Sequence, residues 1–191
     1  MNKIGAAILL VIAVTLAGCG RKPAPSVNAE MTQVMSPQAQ TVWDITSRAF
    51  NANGDGLDES KISPADWVKL GKAGRLMKAR SRALAKTKHV AVVHPGETVL
   101  GAFAAPGGPT KQTWDAANDT QILAMIEANP ILFAQRARVM TEAADTLVKA
   151  SLKKDVRKLY EVSSNLDEVC DGCHQKFWGT DEPPPLPIKG R

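Results

Sequence analysis

Near its C-terminal end the chain carries the stretch CDGCHQKFW, residues 170–178. This stretch brings together two thiols, Cys170 and Cys173, and the imidazole of His174, which directly follows the second cysteine. Two residues three apart lie on one face of a helix, so both thiols can share one ligand. Such a group can close a disulfide, bind a metal, exchange electrons as a dithiol or attach haem covalently.

The CxxCH spacing favours covalent attachment of one haem c. The thiols of Cys170 and Cys173 would add across the two vinyl groups of the porphyrin and leave thioethers. His174 would then reach the iron from the stapled face as the proximal ligand. One short helical segment would thus fix the ring, its orientation and its first axial ligand.

Three other uses of the cysteine pair stay open. A zinc site needs two more ligands, and His89 and His94 do not form a standard second pair. A thioredoxin-like dithiol belongs in a strand–helix setting, which the sequence does not indicate. A disulfide between Cys170 and Cys173 is the third alternative. Haem is favoured over all three because the chain also carries an export signal, which leads to the compartment where haem c is attached.

The export signal occupies the first residues of the chain. Lys3 gives a basic start, IGAAILLVIAVT is apolar but too short to span a bilayer, and LAGC ends at Cys19. This layout resembles the signal of bacterial lipoproteins, which is cut before the cysteine. The resemblance implies a signal peptide over 1–18 and a lipidated thiol at Cys19. An ordinary signal peptide is the alternative.

Cysteine count and charge narrow the function further. If Cys19 takes lipid and the other two of the three cysteines share one ligand, no thiol is left over in an oxidising compartment. The 24 basic and 19 acidic side chains form no long run of one sign, so nucleic-acid binding is not expected. The mild basic excess supports at most a weak preference for acidic partners or anionic surfaces.

Apolar residues at spacings of three and four predict four main helices. The first begins at the cap pair Ser36-Pro37 or earlier, near Glu30, in which case Pro37 would bend it. The second begins at the cap pair Ser63-Pro64 and is expected to reach about Thr87. Both helices should bury one apolar face.

The second half of the chain continues this pattern after a long connection. Residues 88–117 are rich in Gly and Pro and predict a loop of a length that is usually functional. Asp119 is predicted to cap a short helix, and Asn129-Pro130 to start the third main helix. The fourth main helix carries Cys170 and Cys173 on its apolar stripe.

These elements predict an all-α fold class, an up-down-up-down four-helix bundle with covalently bound haem c. An irregular all-helical domain is the alternative. The chain is divided into a signal peptide over 1–18, a lipidated tether over 19–29, the helical domain over 30–178 and a Pro-rich tail over 179–191.

With CDGCHQKFW at the end of the last of four helices, the chain resembles the class II cytochrome c family, which comprises cytochrome c prime and its low-spin relatives. The likeness covers roughly residues 30–178. By this resemblance, Cys170 and Cys173 carry the thioethers and His174 is the proximal iron ligand. The family also includes members that dimerise through bundle faces, so a homodimer is an open alternative here.

The resemblance implies that a helix-one residue covers the other haem face, a methionine ligand in some members and an apolar, non-ligating residue in others. Met35 is the first candidate and Met31 the second. A thioether on iron tends to raise the reduction potential, which suits electron transfer. Both methionines could instead fill the core. His89 and His94 are weaker candidates for the sixth position.

Two features depart from the family pattern. The second connection is longer than the family usually shows and contains an extra short helix. No arginine of helix one could be matched to the one that often neighbours the haem in cytochrome c prime. Both departures leave the sixth ligand and any gas-binding role open.

The sequence therefore predicts a c-type cytochrome that transfers single electrons and is not an enzyme. Gly20 stands where an inner-membrane retention signal often has Asp, so the resemblance favours an outer-membrane lipoprotein facing the periplasm, with inner-membrane anchoring still open. The redox partner stays unidentified. Two alternatives share the same haem attachment: a five-coordinate haem protein that binds nitric oxide or another small gas, and a peroxidase-like enzyme.

Overall fold

The computed structural model describes residues 25–99 and 117–178. Within these ranges lie the helices α1 (Val27–Ala29), α2 (Ser36–Ala49), α3 (Pro64–Leu84), α4 (Asp119–Ala128), α5 (Pro130–Lys153) and α6 (Val156–Phe177). No strand occurs in the described ranges apart from one isolated bridge between Phe50 and Leu57. The all-α prediction is therefore confirmed for this part of the chain.

The predicted signal peptide (1–18), Cys19 and the Pro-rich tail (179–191) lie outside the described residues. Residues 26–29, which the sequence assigns to the tether, are buried and belong to the folded part. None of the helices in the described ranges has a stretch long and apolar enough to cross a bilayer.

The first helical run is continuous from α1 to α2, because a π-helical segment, Glu30–Met35, joins them. Of the two predicted starts the earlier one is nearer the structure, and the observed start is earlier still. Ser26 is the cap, and its hydroxyl accepts the N–H of Ala29. Ser36 has helical backbone angles, and its N–H donates to the carbonyl of Met31, five residues back.

Pro37 explains why the π-helical segment stands where it does. Proline has no N–H and its ring clashes with the carbonyl four residues before it, here Gln33. A π-helical turn widens the helix and shifts its hydrogen bonds to the fifth residue, which relieves such a clash. The helix therefore passes through Pro37 without ending.

The helix α3 follows its prediction closely. Ser63 and Asp66 form a capping box in which each side chain accepts the backbone N–H of the other. The predicted burial of one face is confirmed, and that face comprises Trp67, Leu70, Gly74, Met77, Ser81 and Leu84. The helix ends at Leu84 rather than near Thr87, because Lys86 and Thr87 donate to carbonyls three residues back, which tightens the last turn.

The ends of α4 to α6 are set by local chemistry. Asn118, one residue before the predicted cap Asp119, closes a capping box with Gln121. Lys154 ends α5 in the left-handed conformation, with φ 52°. Asp155 then caps α6 by accepting the N–H of Lys158.

The long helices alternate in direction. Between α3 and α5, Gly71 lies near Ser151 while Ser81 hydrogen-bonds Thr141, so residue numbers rise along one helix as they fall along the other. The helix α3 packs most closely on α5, which in turn packs on α6. One continuous hydrophobic core runs through all four long helices, and Val42, Leu70, Leu147 and Leu159 are fully buried in it.

Two aromatic contacts orient α6. The rings of Phe133, at the start of α5, and Phe177, at the end of α6, meet edge to face with centroids 5.4 Å apart. At the other end, Phe50 follows α2 and meets Tyr160 near the start of α6, with centroids 6.2 Å apart. Both contacts require antiparallel pairs, so the end of α6 lies beside the start of α5.

Candidate functional site

The last turns of α6 carry all three residues of the CxxCH motif. Cys170, Cys173 and His174 lie within one uninterrupted helix, which ends at Phe177. The N–H of Trp178 donates to the carbonyl of His174 at 2.7 Å and closes the final turn. The predicted placement of the motif at the end of the C-terminal helix is confirmed.

Both thiols of the motif are free and half-buried, and they pack against the hydrophobic core. Burial, together with the smaller effect of the carboxylates of Asp167 and Asp171, raises the pKa of Cys170 to about 12. Burial also raises the pKa of Cys173 to about 11, although the cation of Arg136 opposes this shift. The thiols are therefore protonated at neutral pH, which disfavours rapid dithiol exchange because the thiolate is the reactive form.

The imidazole of His174 is half-buried beside the thiols. Burial lowers its pKa, and the nearby carboxylate of Asp171 raises it in part. The net direction favours the neutral ring, which is the form that binds a metal. The ring lies 6.4 Å from that of Trp178 in an edge-to-face arrangement, so an aromatic neighbour fixes one side of the histidine.

Gly172, one of the two residues between the cysteines, faces the side chain of Arg136 on α5. A Cβ built on Gly172 would lie 3.0 Å from Nη1 of Arg136 and 3.4 Å from its Cζ. The guanidinium of Arg136 thus lies directly against the backbone of the motif. A cation at this position also lies close enough to act on Cys173.

The extra helix α4 lies at the same end of the molecule. The N–H of Ala117, just before α4, donates to the carbonyl of Trp178 at 3.3 Å. The helix contacts both α5 and α6 and adds Ile122 and Ile126 to the core. Part of the long connection therefore packs beside the C-terminal end of α6.

Residues 90–99, the other described part of that connection, pack on the start of the first helical run. The N–H groups of Val27 and Asn28 donate to the carbonyls of Ala91 and Val92 at 2.8 and 2.9 Å. The side-chain amide of Asn28 also donates to the carbonyl of Thr98 at 3.1 Å. We call this arrangement the N-terminal clamp.

The two loop histidines take different places. His89 is exposed, whereas His94 is half-buried in the N-terminal clamp. The carboxylate of Glu97 accepts the backbone N–H of His94 and the hydroxyl of Ser26. These hydrogen bonds, with Ser26 the larger cause, lower the pKa of Glu97.

The two methionines proposed for the distal position belong to the same core as the cysteines. Met35 is 6% exposed, and the partly buried Met31 packs against the same cluster as Cys170 and Cys173. Met31 and Met35 lie in the π-helical segment, whereas the main contacts of this helical run with α6 are made by α2.

The first helical run carries a buried carboxylate that the sequence did not predict. Glu30 is 5% exposed; one of its oxygens accepts from Nη1 of Arg80 at 3.2 Å, and the other has no partner among the described residues. The indole N–H of Trp43 is likewise buried without a partner there. No sequence signal marks Glu30, because an acidic residue near a helix start is ordinarily a solvated one.

Ligand clusters for a bare metal ion are absent from the described ranges, where no three His, Cys, Asp or Glu side chains converge. In particular, neither His89 nor His94 joins the cysteines as a zinc site would require. No family model, no curated protein and no solved structure matches the chain.

The residues present fit a haem c group on chemical grounds. Two thiols lie on one helical face against apolar side chains, a largely neutral imidazole follows, and a guanidinium adjoins the motif. Haem has the matching parts: two vinyl groups, an iron, an apolar ring and two anionic propionates.

Proposed function

We propose that the protein is a c-type cytochrome with one covalent haem, held by thioethers to Cys170 and Cys173 and by His174 as the proximal ligand. The observation that carries this proposal is the placement of CxxCH in the last turns of one helix, with both thiols packed on the core. When bound, the haem would supply a one-electron ferric–ferrous couple.

The chain's own residues would orient that group. Cys170 and Cys173 lie one helical turn apart and would fix the ring edge, while His174 would hold the iron from the same side. Phe177 and Phe133 pack beneath the motif and keep α6 in place. Trp178 lies beside the imidazole and would limit the access of water to it.

The alternation of the long helices supports a finer description of the fold, an up-down-up-down four-helix bundle of the class II cytochrome c type. Bundles of this kind hold cofactors between facing helices. In this proposal α4 and residues 90–99 are additions that cover the haem end. The family assignment depends on the motif and this topology.

We propose electron transfer as the activity and Met35 as the distal ligand, with Met31 as the second candidate. Both methionines belong to the helical run that faces α6 across the bundle, and both share its hydrophobic core. A histidine–methionine pair on iron raises the reduction potential. No group on the described residues is assigned a catalytic role.

Gas binding is the second candidate function. It is favoured by the apolar packing of Met31 and Met35, because an apolar face without a ligand leaves the iron open to nitric oxide or another small gas. Buried Glu30, by contrast, adds a polar group to helix one, but its ion pair with Arg80 gives it a structural role.

The proposed location is the periplasmic side of a bacterial membrane, through a lipid on Cys19, with the outer membrane favoured. The support is the LAGC sequence and Gly20. Exchanging residues 1–19 for an ordinary signal peptide that is cleaved without lipidation tests the anchor: the protein is expected to leave the membrane fraction while it keeps covalent haem.

The haem proposal is tested by an absorption spectrum of the exported protein before and after acid extraction. Covalent haem stays with the polypeptide, and low-spin bands in both oxidation states support electron transfer. A high-spin ferrous form that binds nitric oxide supports the second candidate. If the polypeptide carries no haem after export together with the haem-attachment machinery, both candidate functions are contradicted. A disulfide between Cys170 and Cys173 then becomes the favoured interpretation.

A further inference from the structure

A basic cleft lies between the C-terminal end of α3 and the facing side of α5. It has a volume of about 310 Å³. Three cations line it, Arg82 and Lys86 from the α3 side and Arg138 from α5, together with Ala85, Thr141 and Glu142. Glu142 is the one acidic lining residue, so the cleft carries a net positive charge.

The cations of the basic cleft have no ion-pair partner among the described residues. The helix α3 carries six basic residues and a single acidic one, Asp66. Lys78 and Arg80 are paired with acidic residues of neighbouring elements. Arg82, Lys86 and Arg138 are exposed, and none forms an ion pair within the described ranges. Such unpaired like charges repel one another and attract an anionic partner.

The basic cleft lies at the same end of the molecule as the CxxCH motif. Arg136 faces α6 and touches Gly172, whereas Arg138, two residues on, faces the cleft. Two residues along a helix turn the side chain by about 200°, so these two arginines point to opposite sides of α5. One helix, about 10 Å across, therefore separates the cleft from the motif.

We propose that the basic cleft is the docking surface for an acidic redox protein, whose carboxylates enter it. This proposal rests on the proposed electron-transfer function. In the docked complex one electron would pass between the haem, when it is bound, and the partner's redox centre, so that one is oxidised as the other is reduced and no bond is made or broken. The concave shape suits protruding carboxylate side chains of a protein better than the flat surface of a bilayer.

A matched pair of charge reversals tests the proposal in the full haem-loaded chain. Arg82→Glu with Lys86→Glu reverses the cleft. The control, Lys69→Glu with Lys72→Glu, changes the net charge by the same amount at two exposed positions of α3, about 20 Å along the helix from the cleft. The rate constant for oxidation of the reduced protein by hexacyanoferrate(III) is measured at low salt and at about 0.5 M salt, where charges are screened.

At low salt we expect the rate constant of the cleft variant to be about tenfold lower than that of the parent. The rate constant of the control variant should fall by less than about threefold, and both differences should disappear at high salt. Equal slowing in both variants would mean that net charge alone acts, and would overturn the proposal. Circular dichroism of both variants shows whether the helices are intact.

A second measurement does not need haem, so it separates this proposal from the haem assignment. Binding of the chain to poly-L-glutamate is compared with binding to phosphatidylglycerol vesicles. We expect the cleft variant to bind poly-L-glutamate at least tenfold more weakly than the control variant. Cleft-dependent binding to the vesicles without binding to poly-L-glutamate would assign the cleft to the membrane and overturn the protein-docking proposal.

Discussion

The guanidinium of Arg136 lies where a side chain at Gly172 would begin, 3.0 Å from the Cβ position. A second glycine contact, between Gly74 of α3 and α5, looks similar but has a different physical character. There the Cβ position lies 2.9 Å from a methyl group of Val148 and 3.1 Å from the backbone carbonyl of Ala144. The exposed side chain of Arg136 can move away from a new methyl group at residue 172. The backbone of α5 cannot move away from one at residue 74 without separating the two helices.

Alanine substitutions at the two glycines should therefore have opposite effects. Gly172→Ala is expected to leave the protein as stable or more stable by up to about 1 kcal/mol, because alanine favours a helix and exposed Arg136 can move. Gly74→Ala should cost about 1–3 kcal/mol, because it forces α3 away from α5. Urea unfolding of both variants measures the two free energies. A destabilising Gly172→Ala would mean that Arg136 is held in place.

Comparing Met35→Ala with Met77→Ala shows whether Met35 is an iron ligand or only a core residue. Both side chains are buried, at 6% and 1% exposure, so each substitution should lower the free energy of unfolding by about 2–5 kcal/mol. In the haem-loaded protein, only Met35→Ala is expected to abolish the sulfur-to-iron absorption band. If Met31→Ala abolishes the band instead, the second candidate is the ligand.

Substituting Arg80 should lower the stability of the protein more than substituting Glu30, its partner in the ion pair. Arg80→Met leaves the buried carboxylate of Glu30 without its counter-charge and is expected to destabilise the protein by about 3 kcal/mol or more. Glu30→Gln removes the buried charge while keeping the shape, so it should cost less. Adding Glu30→Gln to Arg80→Met should restore part of the lost stability. Thermal unfolding of the three variants gives the comparison, and additive losses would contradict it.

Acid should weaken the contact between α3 and α5 through Asp145. Hydrogen bonds from Lys149 and Lys78 lower the pKa of Asp145 to about 2. Because this pKa lies below its ordinary value near 3.8, the stabilisation is complete above about pH 5 and is lost as pH falls through 2. Asp145→Asn should therefore be less stable than the parent at pH 6, and the difference should be much smaller near pH 2. Urea midpoints at the two pH values test this, with Asp44→Asn on the exposed side of α2 as the control.

The sequence was sufficient for most of the helices because their signals are local. The cap of Ser63 and the apolar stripe of α3 need only neighbouring residues, and both are confirmed. The same holds for the CxxCH motif, whose placement follows from spacing and from the last apolar stripe. Local patterns of this kind depend on helix geometry alone.

What the sequence could not predict depends on distant residues. The start of the first helix at Val27 is stabilised by carbonyls of Ala91 and Val92, more than 60 positions away. The burial of Glu30 similarly depends on Arg80, and the fit of Gly172 depends on Arg136. The π-helical segment was predicted only in part. Pro37 indicated that the helix would be distorted, but it did not indicate that the distortion would be a π-helical turn.

The N-terminal clamp has a mechanical consequence. A chain that is pulled from its N-terminal end enters the fold at Ser26, where the first N–H groups of α1 are bonded to residues 91–92 and the amide of Asn28 to Thr98. The hydrogen bonds of the clamp would therefore carry the load first. Tension applied at that end would be absorbed there, before any strain reached the turns of α6 that carry Cys170, Cys173 and His174.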